Sequence, residues 1–409
     1  MLGAVKKFIS QISNQNIDYW LLAIIWFLFT ILTIYCLMLR YSQEQYVLLA
    51  NSFWQGHLHF LDQWGPIYDS AAWHGHFYWP LGMLPAILMM PFTLIAKILG
   101  SPYYQACLHI PFLVIIGLII NDLLIKFDYQ QKDRFYLIIA FIICSPLLGV
   151  ALISDSWQFA QMTALLLSCW SLWEFYQHRR YWLIGILCAT ILLTRPTASL
   201  IIFFYILNII LIEKNNIITK LRQLLWPYII GLMMMFGYNF WRFQNPWESG
   251  YSLQLQGTNS LLQLKQQGIF HWRNVGRNLF YLLFQLPLIS LSPVTPYLPI
   301  YPYVYANPWG LSIFFTSPYL FTLFYHHYKK TIEKIIWLTI FIILIPIVFY
   351  YGVGWYQFGY RYALDFWPLL FLLFTQKYRE KNNYLSDKIR IVIIISAIFN
   401  LYLFFTLYS

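Results

Sequence analysis

YSQEQYVLLANSFWQGHLHFLDQWGPIYDSAAWHGHFYW, residues 41 to 79, follows an apolar run and carries three carboxylates (Glu44, Asp62, Asp69) and four histidines (His57, His59, His74, His76) without a Lys or Arg. No basic residue occurs anywhere between Arg40 and Lys97. Loops on the cytoplasmic side of a membrane collect Lys and Arg, so in a chain of formal charge +11 this loop is expected on the opposite side. Its placement sets the direction of the apolar runs before and after it.

Composition places those runs in a bilayer. The chain is 60% hydrophobic and 10% charged, with mean hydropathy +0.58, whereas soluble domains devote about a quarter of their residues to charge. Many apolar runs approach the roughly 20 residues of a membrane-spanning helix, and they do not alternate as barrel strands do. The expectation is an all-α polytopic membrane protein of one transmembrane domain, residues 1–409, with no separate soluble domain. The positive balance describes loop orientation and calls for no nucleic-acid partner. Five cysteines (Cys36, Cys107, Cys144, Cys169, Cys188) lie in or beside apolar runs without CxxC spacing and read as small buried apolar groups. The first apolar run, Trp20 to Leu39, is long and lacks a small-residue cleavage site, so it reads as a retained span.

Charge then sorts the loops. Lys6 and Lys7 place the N-terminus in the cytoplasm, and Lys126, Lys132 and Arg134 place the next basic cluster there too. Two apolar runs, 78–99 and 107–125, separate the outer loop from that cluster. Parity requires one of them to stop short of a full crossing, and Pro80, Pro85 and Pro91 single out the first. Continuing through 135–153, 159–175, 181–193, 198–212, 225–240, 309–325, 335–350, 363–374 and 391–407 gives about 11 crossings. A second long outer segment spans 241–308, with an interfacial helix expected near 278–291. The halves show no repeat and the span centres are almost free of charge, which argues against a transporter with a midplane polar site.

This topology collects Glu44, Asp62, Asp69, Asp155, Arg195, Arg242, Glu248 and Arg361 at the outer helix ends. Ionisable groups at such depth are costly unless paired or functional. Any one of them serves equally well as an interfacial anchor or cap; their coincidence on one face favours a site. His57, His59, His74 and His76, with Asp62 or Asp69, are residue types that suit a divalent cation such as zinc or manganese. No HExxH-type spacing accompanies them, and aromatic packing is the simpler role.

The order of several motifs carries a resemblance. YVLLANSFWQGHLHF (46–60), DSAAWHGHFYWPLGMLPAILMMPF (69–92), LLTRPTA (192–198), YNFWRFQNPWESGY (238–251), NPWGLSIFFTSPYL (307–320) and FGYRYALDFWPLL (358–370) are spread along most of the chain. In this order they resemble polyprenyl-phosphate-dependent membrane glycosyltransferases of the GT-C fold, relatives of the protein O-mannosyltransferases and the aminoarabinose transferase. The resemblance implies a polyprenyl-phosphate-linked sugar donor, a lipid, glycan or protein acceptor, and inverting transfer at the extracytoplasmic face of a bacterial inner membrane. It also implies a carboxylate base in the first outer loop. The acidic residue that such enzymes carry a few positions before the tyrosine of YVLLA is replaced here by Ser42 and Gln43, leaving Glu44. The base therefore stands open between Asp69 and Glu44, with Asp155 a third outer carboxylate.

Such chemistry needs these residue types. A carboxylate within hydrogen-bond reach takes the proton of the attacking hydroxyl, and arginines stabilise the charge developing on the departing lipid phosphate. Arg361 is the first choice for the phosphate, with Asp365 one turn later to orient it; Arg195 and Arg242 are the second choices. The rival readings are a lipid-linked-sugar flippase and an O-antigen-type polymerase or ligase.

Overall fold

The computed structural model of the protein describes residues 15–39, 43–61, 69–255, 259–292 and 298–408. Lys6, Lys7 and Asp62 fall outside them. Among the described residues four helices are long and apolar enough to cross a membrane: Ala106–Lys126, Pro196–Glu213, Thr331–Phe349 and Asp387–Leu407. Their outward faces stay apolar, with Leu118, Phe341 and Ile395 exposed. Helices apolar on every side belong in lipid rather than water. The chain is a mainly helical membrane protein.

At the centre, the helices Ser156–Gln177 and Trp367–Lys381 are buried along most of their length. Phe141 packs edge-on against Phe371, with ring centres 4.9 Å apart, and lies 6.2 Å from Trp367. These two helices carry residues beneath the candidate site, so the packed core fixes its floor.

Several apolar runs are interrupted where the sequence pattern suggested one span. The 135–153 run divides into Gln131–Ile142 and Leu147–Leu152, with Pro146 at the break. The 309–325 run is a short helix, Ile313–Thr316, followed by the 3-10 helix Pro318–Tyr325. In both cases proline lacks the N–H that would continue the helix and its ring crowds the preceding turn. Leu84–Ile98 has 15 residues with Pro91 inside it, about 22 Å at 1.5 Å per residue. That is short of a hydrocarbon core of about 30 Å, while the following helix, at 21 residues, is long enough.

The all-α expectation needs amendment, because two hairpins lie in the long loops. Ala71–Trp73 pairs antiparallel with His76–Tyr78 in the register Ala71 to Tyr78 and Trp73 to His76. The turn is His74-Gly75, both in the left-handed region at φ 49° and 81°, which suits the twist of a two-residue hairpin. The first loop also holds the helix Gln45–Trp54. In the second loop the helix expected near 278–291 is Asn274–Leu283, and Leu288–Leu291 is instead a strand paired with Pro299–Tyr305. The Asn278 amide donates to the carbonyls of Val348 and Tyr350 at 2.9 and 2.8 Å. Those bonds satisfy the open end of the Thr331–Phe349 helix and hold the second loop over it.

Gly82 makes a backbone contact that shapes the site. A Cβ added there would lie 1.9 Å from the Leu193 carbonyl oxygen, which already accepts the Leu84 N–H at 3.1 Å. The 80–84 segment is thereby seated on the turn that carries Arg195. Gly82→Ala is expected to destabilise the purified protein by about 1–3 kcal/mol through overpacking. Thermal unfolding in detergent measures this; an unchanged midpoint would mean that the turn yields freely.

Candidate functional site

The two ends of the helix bundle treat charge differently. At the basic-loop end, carboxylates meet cations directly: Glu174 with Arg180 at 2.7 Å, Glu333 with Lys377 at 2.9 Å, and Asp133 with Arg390 at 2.8 Å. At the opposite end three arginines, Arg195, Arg242 and Arg361, are each buried. Among the described residues, only Arg195 of these three bonds a carboxylate.

That carboxylate is Asp365. Its Oδ1 accepts from Arg195 Nε at 3.1 Å and from Gln161 Nε2 at 2.6 Å, while Oδ2 accepts from Arg195 at 3.3 Å and from the Thr197 hydroxyl at 2.5 Å. The expected pairing of Asp365 with Arg361 is not what forms. Residues Arg361–Asp365 make a 3-10 helix, and at three residues per turn positions four apart are about a third of a turn out of line. Asp365 instead points into the core, toward the helix Ser156–Gln177 and the turn before Pro196. A buried pair satisfied by further donors is rigid, and losing one partner strands the other.

Arg242 is held by neutral acceptors alone. It donates to the Trp79 carbonyl and to Asn239 Oδ1, both at 2.7 Å, and more weakly to the Ser249 carbonyl at 3.4 Å. Its guanidinium sits 3.8 Å from the centre of the Tyr238 ring, close enough for a cation–π contribution. Among the described residues its Nε–H has no partner. Arg195 and Arg242 both line a cavity of about 370 Å³ with Asn239, Trp157 and Tyr251 in its wall. Met235, Leu192 and Ile347 make another part of the lining apolar. Glu248 also lines it, but its carboxylate is turned to the Gly250 N–H at 2.6 Å and to the Ser252 hydroxyl.

Asp69 and Arg361 do not line that cavity, yet they share its wall. Asp69 leads into the hairpin in the left-handed region, φ 68°. Its N–H donates to the Leu255 carbonyl at 3.0 Å and Leu255 returns a bond to Ser70 at 2.8 Å, so the second long loop is laced onto the first. That lacing presents Gln254 Nε2 to Asp69 Oδ1 at 3.2 Å. Burial pushes the Asp69 carboxyl above the ordinary carboxylate range; the Arg361 charge, the Trp157 indole and Gln254 pull it part of the way back. Arg361 lies 5.4 Å and Arg195 5.7 Å from the centre of the Tyr362 ring. Among the described residues the Arg361 guanidinium has no hydrogen-bonded partner, although the residue as a whole is only 8% exposed.

The remaining carboxylates have other work. Glu44 Oε2 accepts the Gln105 N–H at 2.8 Å, and Asp155 Oδ1 accepts the Gln43 N–H at 2.9 Å. With Gln105 donating to the Gln43 and Ser154 carbonyls, they clamp the start of the first loop to two helix starts. Of the histidines, His57 and His59 have ring centres 5.0 Å apart, His59 and His76 4.0 Å apart, and His74 stacks on Trp73 at 4.3 Å. Among the described residues no group of three or more His, Cys, Asp or Glu is arranged to hold a metal ion. Burial, then the neighbouring His76 and His57, hold His59 below its ordinary value.

Tertiary structure thus gathers Asp69, Arg361, Arg195 and Arg242 around shared aromatic side chains, with Glu44 and Asp155 in a separate network. Gln161, Thr197, Gln254 and Tyr362 escaped the sequence reading. Gln161 had a signal, a long polar side chain inside the apolar run 159–175; the others had none that distinguishes them from loop residues. Compared with family models, with curated proteins and with solved structures, the chain matches none.

Proposed function

We propose that the protein is a membrane glycosyltransferase of GT-C type that moves a sugar from a polyprenyl-phosphate donor to an acceptor on the extracytoplasmic side of a bacterial inner membrane. The observation that carries this reading is the juxtaposition of a half-buried, proton-affine carboxylate, Asp69, with a buried arginine, Arg361, that has no bonded anion among the described residues. Next to them a part-apolar cavity holds two further guanidinium groups. In this reading the prenyl chain follows the apolar side of the cavity and the phosphate meets Arg361 or Arg242. Asp69 takes the acceptor proton as the hydroxyl attacks the anomeric carbon and the lipid phosphate departs. Arg195 is held by Asp365 and lends a fixed field to the same region. The remaining elements of the reading, about 11 crossings with the 41–79 loop outside, rest on loop charge.

Protein reconstituted with a panel of radiolabelled polyprenyl-phosphate sugars and a membrane extract as acceptor is expected to transfer label, and Arg361→Ala to slow transfer about a hundredfold per folded molecule. Arg361→Lys keeps charge but loses the planar fork and should fall between. Lipid-linked sugar that crosses the bilayer without transfer would instead favour the flippase.

A further inference from the structure

A second cavity, which shares no lining residue with the candidate site, lies on a different flank, and its shape and polarity describe a lipid. It has a volume of about 630 Å³ and is bounded by the helices Gln15–Leu39, Ala106–Lys126 and Gln131–Ile142. One face of the Ala106–Lys126 helix supplies a stripe at helical spacing that runs from Ile110 through Val114, Gly117 and Leu118 to Asn121. From Ile110 to Asn121 that stripe rises about 16 Å at 1.5 Å per residue, about half of a 30 Å hydrocarbon core. The groove is therefore one leaflet deep.

Its polarity is graded along that length. The deep end is aliphatic and aromatic, with Ile110, Leu113 and Phe29, and the shallow end carries Asn121, Gln131 and Arg134. Among the described residues no carboxylate lines it. Arg134 donates to Asn121 Oδ1 and to the Tyr129 carbonyl, both at 3.1 Å. Both acceptors are neutral, so the arginine is oriented while its charge stays uncompensated. The nearby acids are engaged elsewhere, Asp133 with Arg390 and Asp122 with Trp173. An apolar slot of one-leaflet depth with a cation at its interfacial end matches a single anionic phospholipid, acyl chain inward and phosphate at the arginine.

We infer that this groove is a binding site for an anionic phospholipid, seated with one acyl chain along Gly117 and its phosphate on Arg134. The inference is independent of the transferase reading. Gly117 supplies a selective probe: an added Cβ there meets only Ile142 Cδ1, at 4.0 Å, so Gly117→Leu fills the groove without a backbone clash.

Protein exchanged into equimolar phosphatidylglycerol and phosphatidylcholine is examined for retained lipid by native mass spectrometry, with thermal unfolding as the control for folding. The wild type is expected to retain phosphatidylglycerol over phosphatidylcholine by about fivefold, the size expected of one basic side chain at an anionic interface. Arg134→Gln should retain both lipids equally, and Gly117→Leu should retain neither while unfolding at an unchanged temperature. Equal retention of both lipids by the wild type, or undiminished retention by folded Gly117→Leu, overturns the proposal. A wild-type dimer that Gly117→Leu dissociates would assign the groove to a second copy of the chain and overturn it equally.

Discussion

Asp69→Asn is expected to lower transfer by about 10²–10⁴-fold, the usual contribution of a general base, while leaving donor affinity and folded yield intact. The asparagine keeps the shape of the side chain and removes only its capacity to take a proton. Stability supplies the independent half of the test. Burial raises the Asp69 carboxyl above the ordinary carboxylate range, so the folded state holds that proton more tightly than the unfolded chain. The ionised form therefore costs stability at every pH above the raised value, and the cost fades as pH falls through it. Asp69→Asn should accordingly unfold at the same or a higher temperature than the wild type near neutral pH. The wild type's activity should fall on acidification at a higher pH than for an ordinary aspartate. Full activity of Asp69→Asn, together with an inactive Glu44→Gln, would move the base to Glu44.

Asp365→Ala should produce the largest loss of stability. It strands the Arg195 guanidinium in a buried position and removes the acceptor of Gln161 and Thr197. Removing one partner of such a pair costs about 3–5 kcal/mol, enough to threaten the folded state of an average domain. Fluorescence-detected size exclusion after heating reads this directly. The double variant Arg195→Met with Asp365→Leu replaces the pair by apolar groups and should recover most of the thermal stability, because neither charge is then left alone. If Arg195 contributes to the field at the donor phosphate, the recovered protein stays slow. Recovery of both stability and activity would reduce the pair to a structural clamp, and an Asp365→Ala protein as stable as the wild type would refute the reading of Asp365 as a hub.

Local rules made some of the molecule legible in the chain. Apolar runs such as 107–125 and 391–407 became long apolar helices because a hydrocarbon solvent leaves a backbone no other way to satisfy its polar groups. The short Leu84–Ile98 helix was signalled by its prolines. Proline placement also marked the break at Pro146, and the 135–153 expectation went wrong by weighing hydropathy above it. The His74-Gly75 hairpin had a sequence signal as well, a glycine turn between Trp73 and the aromatic triplet His76–Tyr78, which the four histidines obscured by suggesting ligands.

By itself, the sequence determined the solvent: a chain with so few charges and so many long apolar runs can bury its surface only in lipid. It also determined that Asp69, Arg195, Arg242 and Arg361 stand at the ends of such runs, since a charge is excluded from their middles. Which of these charges meet was decided by the tertiary structure alone. Arg195 and Asp365 are 170 positions apart, and their pairing depends on how the core helices pack. Asp69 acquires its raised proton affinity from burial, partly offset by Arg361, Trp157 and Gln254, surroundings that only long-range packing brings to it. Hydrophobic burial is non-directional and short periodicities describe one helix at a time. The choice between two carboxylates of similar sequence setting, Glu44 bonded to a backbone amide and Asp69 bonded to Gln254 within the field of Arg361, therefore belongs to the fold.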